Sequence, residues 1–438
     1  MRGAERSVKN TAKNVSLIVL VLLLLTLCAA NWLTGLNVAQ MPADSLLRRA
    51  HDQLFGGAVG YELRSSGVAA AEPVQLALTV DGQLYGVQYN VTDMDAAVAA
   101  VRDLWAQVLT GEELAHADEA ELNAALRAGD CAELRYHGAI PLGAVAGWMG
   151  GNWKDGSEIY VETLVYAAGS EQLFVRTSDG ALYAAAARAD KSVLESAQHA
   201  FRGQPCKFSG ESYAVYPETL LFDSETLSLP LLRNEPIDLF STRSGTGLEE
   251  LLQVFGFTAY ADFYAEQNDQ VRVFIDNVST LRVSATGLLQ YASSAENTTV
   301  RAYEEGEVSG QSALDAQMDC ARLILDAALR VGETNTHASL YAVGQEDRQT
   351  TLVFLQMYGG VPVLGESDFA TFAFEDGALV SATVRLQRFS AQDTGRIVLP
   401  AKQAAAGAMG EPCGLMVAYR EREGESYVPA RFYLKNAA

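Results

Sequence analysis

The longest uninterrupted apolar pattern lies near the start of the chain, where Val15 to Leu33 carries no charged residue. As a helix this stretch would measure about 28 Å, close to the thickness of the hydrocarbon core of a bilayer. Four basic residues and one acidic residue precede it. The pattern therefore predicts a transmembrane anchor, which we place at residues 15–36.

The charges around this anchor predict its orientation. Basic residues collect on the cytoplasmic side of membrane proteins, and the next basic residues after the stretch are Arg48 and Arg49. We expect a single-pass protein of the cell membrane with a cytoplasmic N-terminus and an extracytoplasmic remainder. The side chains expected to face the membrane or a partner helix are Leu17, Val21, Leu24, Leu25, Cys28 and Trp32.

Two other interpretations of the same stretch stay open. A secretory signal peptide also joins a basic start to an apolar run, and Cys28-Ala29-Ala30 offers small residues for cleavage after Ala30. A lipoprotein would be acylated at Cys28, although that signal normally has a small residue where this chain has Leu27.

Beyond residue 72 the hydrophobic period alternates between that of strands and that of helices. Helices are predicted at 92–110, 112–128, 191–201, 246–255 and 312–331 from apolar faces, capping residues and terminal glycines. Strands are predicted in hairpins that turn at Asp81-Gly82, Asp179-Gly180 and Asp376-Gly377, and in a terminal hairpin, 415–420 with 428–434. Further strands are expected at 271–275, 280–283, 288–291, 339–343 and 351–358.

This order of elements predicts an α+β ectodomain in which antiparallel sheets are backed by helices. We expect two or three lobes after a short cytoplasmic N-terminus, 1–14, and a spacer, 37–72. The predicted lobes are an N-terminal one at 73–205, a middle one at 206–300 and a C-terminal one at 301–438. The proline-rich stretch 204–245 is the expected crossing between lobes.

The composition narrows the class of protein. Of 438 residues, 49% are apolar and 20% charged, which is typical of a packed globular chain. The net charge of −22 argues against a nucleic-acid partner, because nucleic-acid binding needs a basic surface. The five cysteines form no C-x-x-C pair, and we expect buried thiols without being able to assign disulfides.

The motifs of common catalytic, cofactor and metal sites are absent from the sequence. It has no H-E-x-x-H zinc helix and no phosphate-binding loop. The five histidines are far apart, and we predict that each is a surface or capping residue. Acidic pairs such as Asp93 with Asp95 and Glu249 with Glu250 fit helix N-termini, where negative charge is favourable. We therefore predict no catalytic residue, no cofactor and no metal.

Seven stretches share their hydrophobic pattern and turn residues with one known family. They are the anchor, 73–90 (PVQLALTVDGQLYGVQYN), 138–150 (GAIPLGAVAGWMG), 248–260, 282–291, 358–389 and 427–434 (YVPARFYL). These stretches resemble the YycH/YycI family of membrane-anchored regulators of low-GC Gram-positive bacteria. The last resembles the closing strand of that family, with Arg431 and Phe432 where the family often has a Trp.

The resemblance implies a non-enzymatic protein that regulates a cell-envelope two-component system. Its partners would be a sensor histidine kinase and a paralogous anchored regulator, contacted through both the anchor and the ectodomain. The residues themselves leave two alternatives. One is an extracytoplasmic binding module for a small cell-envelope ligand, with a cleft near 217–245. The other is a cell-envelope hydrolase that uses carboxylates which the sequence does not pair.

Overall fold

The computed structural model describes residues 69–435, except 112, 155, 223–226, 241–244, 259–260, 267–268, 277, 297, 305, 307 and 422–426. The predicted anchor, with its candidate partner-helix residues from Leu17 to Trp32, lies outside the described residues. Within them, no helix is both long enough and apolar enough to span a bilayer.

The described helices differ in how much of their surface is buried. They are α1 (Val91–Val108), α2 (Glu119–Ala128), α3 (Leu142–Met149), α4 (Lys191–Ala200), α5 (Gly245–Val254), α6 (Gly310–Val331) and α7 (Ala401–Ala406). Two single 3-10 turns lie at Gly156–Glu158 and Gly210–Ser212.

The strands of the first half form the nine-stranded sheet and contribute to two small sheets. They are β1 (Pro73–Val80), β2 (Gln83–Gln88), β3 (Thr110–Gly111), β4 (Ala115–His116), β5 (Cys131–Pro141), β6 (Asn152–Trp153), β7 (Tyr160–Ala167), β8 (Gln172–Thr177), β9 (Leu182–Ala186), β10 (Gln204–Phe208), β11 (Leu220–Phe222) and β12 (Ser228–Glu235).

The strands of the second half build mainly one long sheet. They are β13 (Phe263–Glu266), β14 (Val271–Ile275), β15 (Ser279–Ser284), β16 (Leu288–Ser293), β17 (His337–Glu346), β18 (Gln349–Tyr358), β19 (Val361–Leu364), β20 (Ala370–Glu375), β21 (Ala378–Arg385), β22 (Arg388–Ile397), β23 (Gly414–Arg420), β24 (Tyr427–Val428) and β25 (Ala430–Lys435).

These strands form four sheets, and the predicted α+β class is confirmed. The nine-stranded sheet has the order β11-β10-β2-β1-β5-β7-β8-β9-β4, and the eleven-stranded sheet runs from β13 at one edge to β25 at the other. A three-stranded sheet joins β22, β12 and β24, and β3 pairs with β6. Among the described pairs, β3–β6 and β19–β23 are parallel and the rest are antiparallel.

The helices cover the two large sheets. Helix α1 packs on β1 and β2, and α4 packs on β1. Helix α6 packs on β17 and β18, with α5 beside it. Its buried side chains, among them Leu314, Ile324 and Leu325, recur at helical spacing, so that burying this face in the core holds the helix on its sheet.

The predicted hairpin turns are confirmed, and their backbone explains the Asp-Gly sequence. Asp81 and Gly82 between β1 and β2 both have positive φ, as do Asp376 and Gly377 between β20 and β21. Two consecutive left-handed residues form the turn that best matches the twist of a hairpin, and Asp-Gly is one of the few pairs that tolerates it.

Some predicted helix boundaries are wrong. Helix α1 begins at Val91, because Asn90 rather than Thr92 caps it by accepting a hydrogen bond from the Asp93 N–H. Helix α2 begins only at Glu119, capped by Asp118, so the predicted start at 112 is too early. Helix α3 went unpredicted because it is apolar on nearly every side and therefore has no helical period.

The structure also shows which sheets take the strands around the predicted lobe boundaries. Strands β10 and β11, from 204 to 222, extend the nine-stranded sheet, and β12 pairs with β22 and β24. Strands β13 to β16 continue the same sheet as β17 to β21. The domain limits themselves stay a prediction.

Candidate functional site

Strand β5 carries a row of polar side chains on one of its faces. Glu133, Arg135 and His137 alternate with Ala132, Leu134 and Tyr136, and all six are buried. Alternation places the three polar groups on the same side of the sheet. The pairing of β5 with β7 is irregular between Arg135 and Ile140, so β5 bulges just where His137 and Gly138 lie.

A second buried arginine, Arg176 on β8, lies on the same face and has a partner for every donor. Glu218 accepts from its Nε and Nη2, Glu119 accepts from Nη1 and Nη2 at 2.8 and 3.0 Å, and Gly180 O accepts from Nη1. The ring of Tyr216 lies 4.1 Å from the guanidinium carbon. Burial raises the pKa of Glu218, but the charge and hydrogen bonds of Arg176 lower it more, so its pKa is below the usual value.

Arg135 and Glu133 are paired less well. The Arg135 Nε lies 3.2 Å from Glu133 Oε1, but without hydrogen-bond geometry, and no described group hydrogen-bonds either charged end. Burial raises the pKa of Glu133 to about 7, with Arg135 only partly opposing the rise. This buried carboxyl therefore keeps its proton to a higher pH than an exposed glutamate does.

A third group of buried polar side chains joins the nine-stranded sheet to β25. We call the whole set the buried charge cluster; it consists of Glu133, Arg135, His137, Glu162, Arg176, Glu218 and Lys435. Tyr433 Oη lies 2.8 Å from His137 Nε2, and Lys435 donates to the His137 carbonyl oxygen at 2.9 Å. Lys435 also pairs with Glu162 of β7. Burial, together with the nearby Lys435, lowers the pKa of His137 to about 3, so its ring is neutral.

Tyr89, which directly follows β2, contributes a hydrogen bond to the same junction. Its backbone is left-handed, with φ of 47°, which is rare for an aromatic residue. Its hydroxyl accepts a hydrogen bond from the Val417 N–H on β23 at 2.9 Å. Strain of this kind persists only where surrounding contacts hold it, and here they are contacts between the two large sheets.

The buried charge cluster corrects one prediction. His137 was expected at the surface or at a cap, and it is instead 5% exposed inside the junction. The sequence shows charged residues alternating with apolar ones along β5, which normally indicates a solvent-facing side of a strand. The partners of Arg176 come from 218 and 119 and those of His137 from 433–435, and no local pattern links those segments.

The cluster is enclosed, which limits its chemistry. Glu133, Arg135 and Glu218 are each at most 1% exposed, so a substrate from solvent does not reach them. Within the described ranges, no group of three or more His, Cys, Asp or Glu side chains is arranged to hold a metal ion. Cys131, Cys206, Cys320 and Cys413 are buried thiols outside any disulfide, as expected, and burial raises the pKa of Cys131 and Cys320 to about 12.

An open cleft of about 840 Å³ lies elsewhere on the nine-stranded sheet. The end of β1, the start of β2, helix α2 and residues 206–213 line it. Its charged lining includes both signs, among them Arg127, Asp130 and Lys207. None of its lining residues belongs to 217–245, the segment near which the sequence predicts a cleft.

The exposed apolar side chains concentrate on one edge of the eleven-stranded sheet. Of the nine large hydrophobic residues that stand exposed among those described, four belong to 263–278. They are Phe263, Tyr264, Ile275 and Val278, on β13, β14 and the turn that follows. We call these four residues the apolar edge.

Comparisons with known proteins give no family assignment. No protein-family model and no curated protein match the sequence. The crystal structure of YycH from Bacillus subtilis superposes with a TM-score of 0.45 and 10% identity, covering 85% of this chain and 97% of that one. An uncharacterized protein from Eubacterium rectale gives a TM-score of 0.32 and 7% identity, covering 52% and 80%. At these TM-scores, neither similarity supports a statement about fold or function.

Proposed function

We propose that this protein is a non-enzymatic, membrane-anchored accessory protein that regulates a cell-envelope sensor histidine kinase by protein–protein contact. The observation that carries the proposal is the apolar edge. Large hydrophobic side chains exposed together at one edge of a sheet, here on both of its faces, are typical of surfaces that bind other proteins. The buried charge cluster fits this role, because it ties the two large sheets together instead of opening to a substrate.

The anchor belongs to the same proposal and rests on the sequence alone. Residues 15–36 would hold the chain in the membrane, with the described residues outside the cytoplasm, beside the kinase. The resemblance of the sequence to the YycH/YycI family supports a kinase as the partner and a paralogous anchored regulator as a second one.

Crosslinking in intact membranes tests the proposal. The full chain, carrying an affinity tag, is crosslinked and purified, and its partners are identified by mass spectrometry. We expect a sensor histidine kinase with an extracytoplasmic segment. Repeated purification without any such kinase would reject the proposal.

Replacing the anchor tests whether it takes part in regulation. Val15–Leu33 is exchanged for an unrelated transmembrane helix of the same length. We expect the protein to stay in the membrane while its effect on kinase output falls. Full regulation after the exchange would reduce the role of Val15–Leu33 to anchoring.

The cleft favours a second candidate, a binding module for a small cell-envelope ligand. Its volume lies in the range of small-molecule sites, and buried Asn123 and Ser209 contribute to its lining. A thermal-shift screen with cell-wall fragments and peptides tests this function, because a ligand that binds the folded state raises its melting temperature. A midpoint that no fragment changes would rule it out.

A further inference from the structure

The outer edge of β13 differs from the other edge of the same sheet. Among the described residues β13 pairs with β14 alone, in continuous register and without a bulge. Its sequence, Phe263 to Glu266, contains neither Lys nor Pro. At the opposite edge, β25 follows a proline and carries the exposed Arg431. Edge strands are commonly protected by such residues or by being very short. Strand β25 has the protecting residues, whereas β13 has only its length of four residues.

The β13 edge is also held in a fixed shape. The Arg272 guanidinium lies between the rings of Phe240 and Phe263, at 4.1 and 4.9 Å from their centroids. Phe263 also contacts the buried ring of Phe274, with 5.5 Å between centroids. An exposed aromatic side chain held in this way loses little further conformational freedom when a partner covers it.

The charges at the two ends of β13 indicate what kind of segment fits there. Asp262 precedes the strand and Asp269 follows it, and both are exposed. The remaining carboxylate of this strand, Glu266, is already paired with Arg282. An added strand that runs past both ends of β13 would bring its terminal residues toward Asp262 and toward the turn that carries Asp269, where lysine or arginine is favoured.

We propose that β13 accepts an extended segment of a partner protein as an additional strand, with apolar side chains at its centre and basic residues at its ends. Backbone hydrogen bonds to the free edge would supply affinity, and Phe263 and Tyr264 would contact the alternating side chains of the segment. This inference rests on the proposed contact function and adds to it the surface and the chemistry of the partner.

A second copy of this chain fits the edge less well. Antiparallel pairing of two β13 strands would bring Asp262 of one copy near Asp269 of the other, and like charges across strands are unfavourable. The net charge of −22 adds to the repulsion. A basic segment from a different protein avoids both sources of electrostatic repulsion.

A designed peptide tests the proposal directly. The probe is the fluorescent peptide KTVYVTK, whose binding to the full chain is followed by anisotropy. The controls are ETVYVTE and a KTVYVTK peptide N-methylated at every internal amide, which leaves neither of its edges with backbone donors for strand pairing. We expect both controls to bind at least about tenfold more weakly. Equal binding of the N-methylated peptide would overturn strand addition.

Variants of the protein locate the binding. The double change Asp262→Lys and Asp269→Lys should reverse the preference, so that ETVYVTE binds more tightly than KTVYVTK. Phe263→Ser with Tyr264→Ser should weaken KTVYVTK by about tenfold. The matched control is Leu399→Ser with Met409→Ser, which removes two exposed apolar side chains elsewhere and should change nothing. An unreversed charge preference would overturn the proposal, as would a dimer that the Phe263 and Tyr264 variant dissociates.

Site-specific crosslinking separates this inference from the proposed function. A photo-crosslinking amino acid replaces either Ala265, on the β13 edge, or Met409, far along the chain. A kinase captured from position 265 and not from 409 supports both. Capture from 409 alone keeps the proposed function and overturns the β13 site. Peptide binding at the edge without kinase capture from either position supports the β13 site and counts against the kinase as the partner.

Discussion

Tyr433 Oη lies 2.8 Å from Nε2 of His137, although 296 positions separate the two residues. One belongs to the edge strand β25 and the other to the bulge of β5, so this contact joins the two large sheets. Because the pKa of His137 is lowered to about 3, the ring is neutral and its Nε2 can accept the hydroxyl hydrogen.

Tyr433→Phe should destabilise the protein by about 1–2 kcal/mol, since a buried imidazole nitrogen loses its hydrogen-bond partner. Urea denaturation followed by circular dichroism measures the change. Tyr427→Phe removes the hydroxyl of a half-exposed tyrosine and should stay within about 0.5 kcal/mol. Equal effects of the two changes would mean that the contact with His137 does not contribute.

Glu133→Gln should change the pH dependence of stability. The pKa of Glu133 is raised to about 7 by burial, so the folded state holds a proton that the unfolded state releases near pH 4.5. Its contribution is fully present below pH 4.5 and is lost as the pH rises through 7. The unfolding free energy of E133Q relative to wild type should therefore increase by about 2 kcal/mol from pH 5 to pH 8.

Denaturation curves at several pH values measure this difference. Glu171→Gln, at an exposed ion pair with Arg188, is the control for the loss of one carboxylate. Parallel pH curves for E133Q and wild type would contradict the assigned pKa.

Arg176→Ala should cost about 3–5 kcal/mol, because it leaves the carboxylate of Glu218 buried without a counter-charge. Arg188→Ala also breaks an arginine–glutamate pair, but both of its partners are exposed, so about 0.5 kcal/mol or less is expected. Chemical denaturation of the two variants gives the comparison. A similar small cost for both would show that Arg176 is not essential to the buried charge cluster.

Gly138→Ala should destabilise the fold by about 2 kcal/mol or more, since a Cβ there would lie 2.6 Å from the Cα of Tyr341 on β17. Gly147→Ala is its counterpart in the exposed part of α3, where a Cβ meets no heavy atom within 4 Å. There we expect a gain of about 0.5–1 kcal/mol, because alanine favours the helix. The melting temperatures of both variants test these two predictions. An unchanged melting temperature for Gly138→Ala would argue against close packing of β5 on β17.

Local order in this protein is largely a property of its sequence. The alternation in β1 and β2, the Asp81-Gly82 turn and the apolar face of α6 each depend on residues within a few positions of one another. Such patterns specify a strand, a turn or a helix without reference to the rest of the chain. The same is true of the hydrophobic stretch from Val15 to Leu33, whose prediction as an anchor lies outside the described residues.

The pairing of the charged residues was decided by tertiary structure. Arg135 alternates with apolar residues along β5, a pattern shared by solvent-facing side chains and by buried ion pairs, and Arg176 follows three consecutive apolar residues on β8. Whether Arg176 becomes part of a buried ion pair depends on whether Glu119 and Glu218 arrive from distant segments, and no local periodicity encodes that. The edge position of β13 is likewise set by the order of strands, since its own residues are compatible with either an edge or the middle of a sheet.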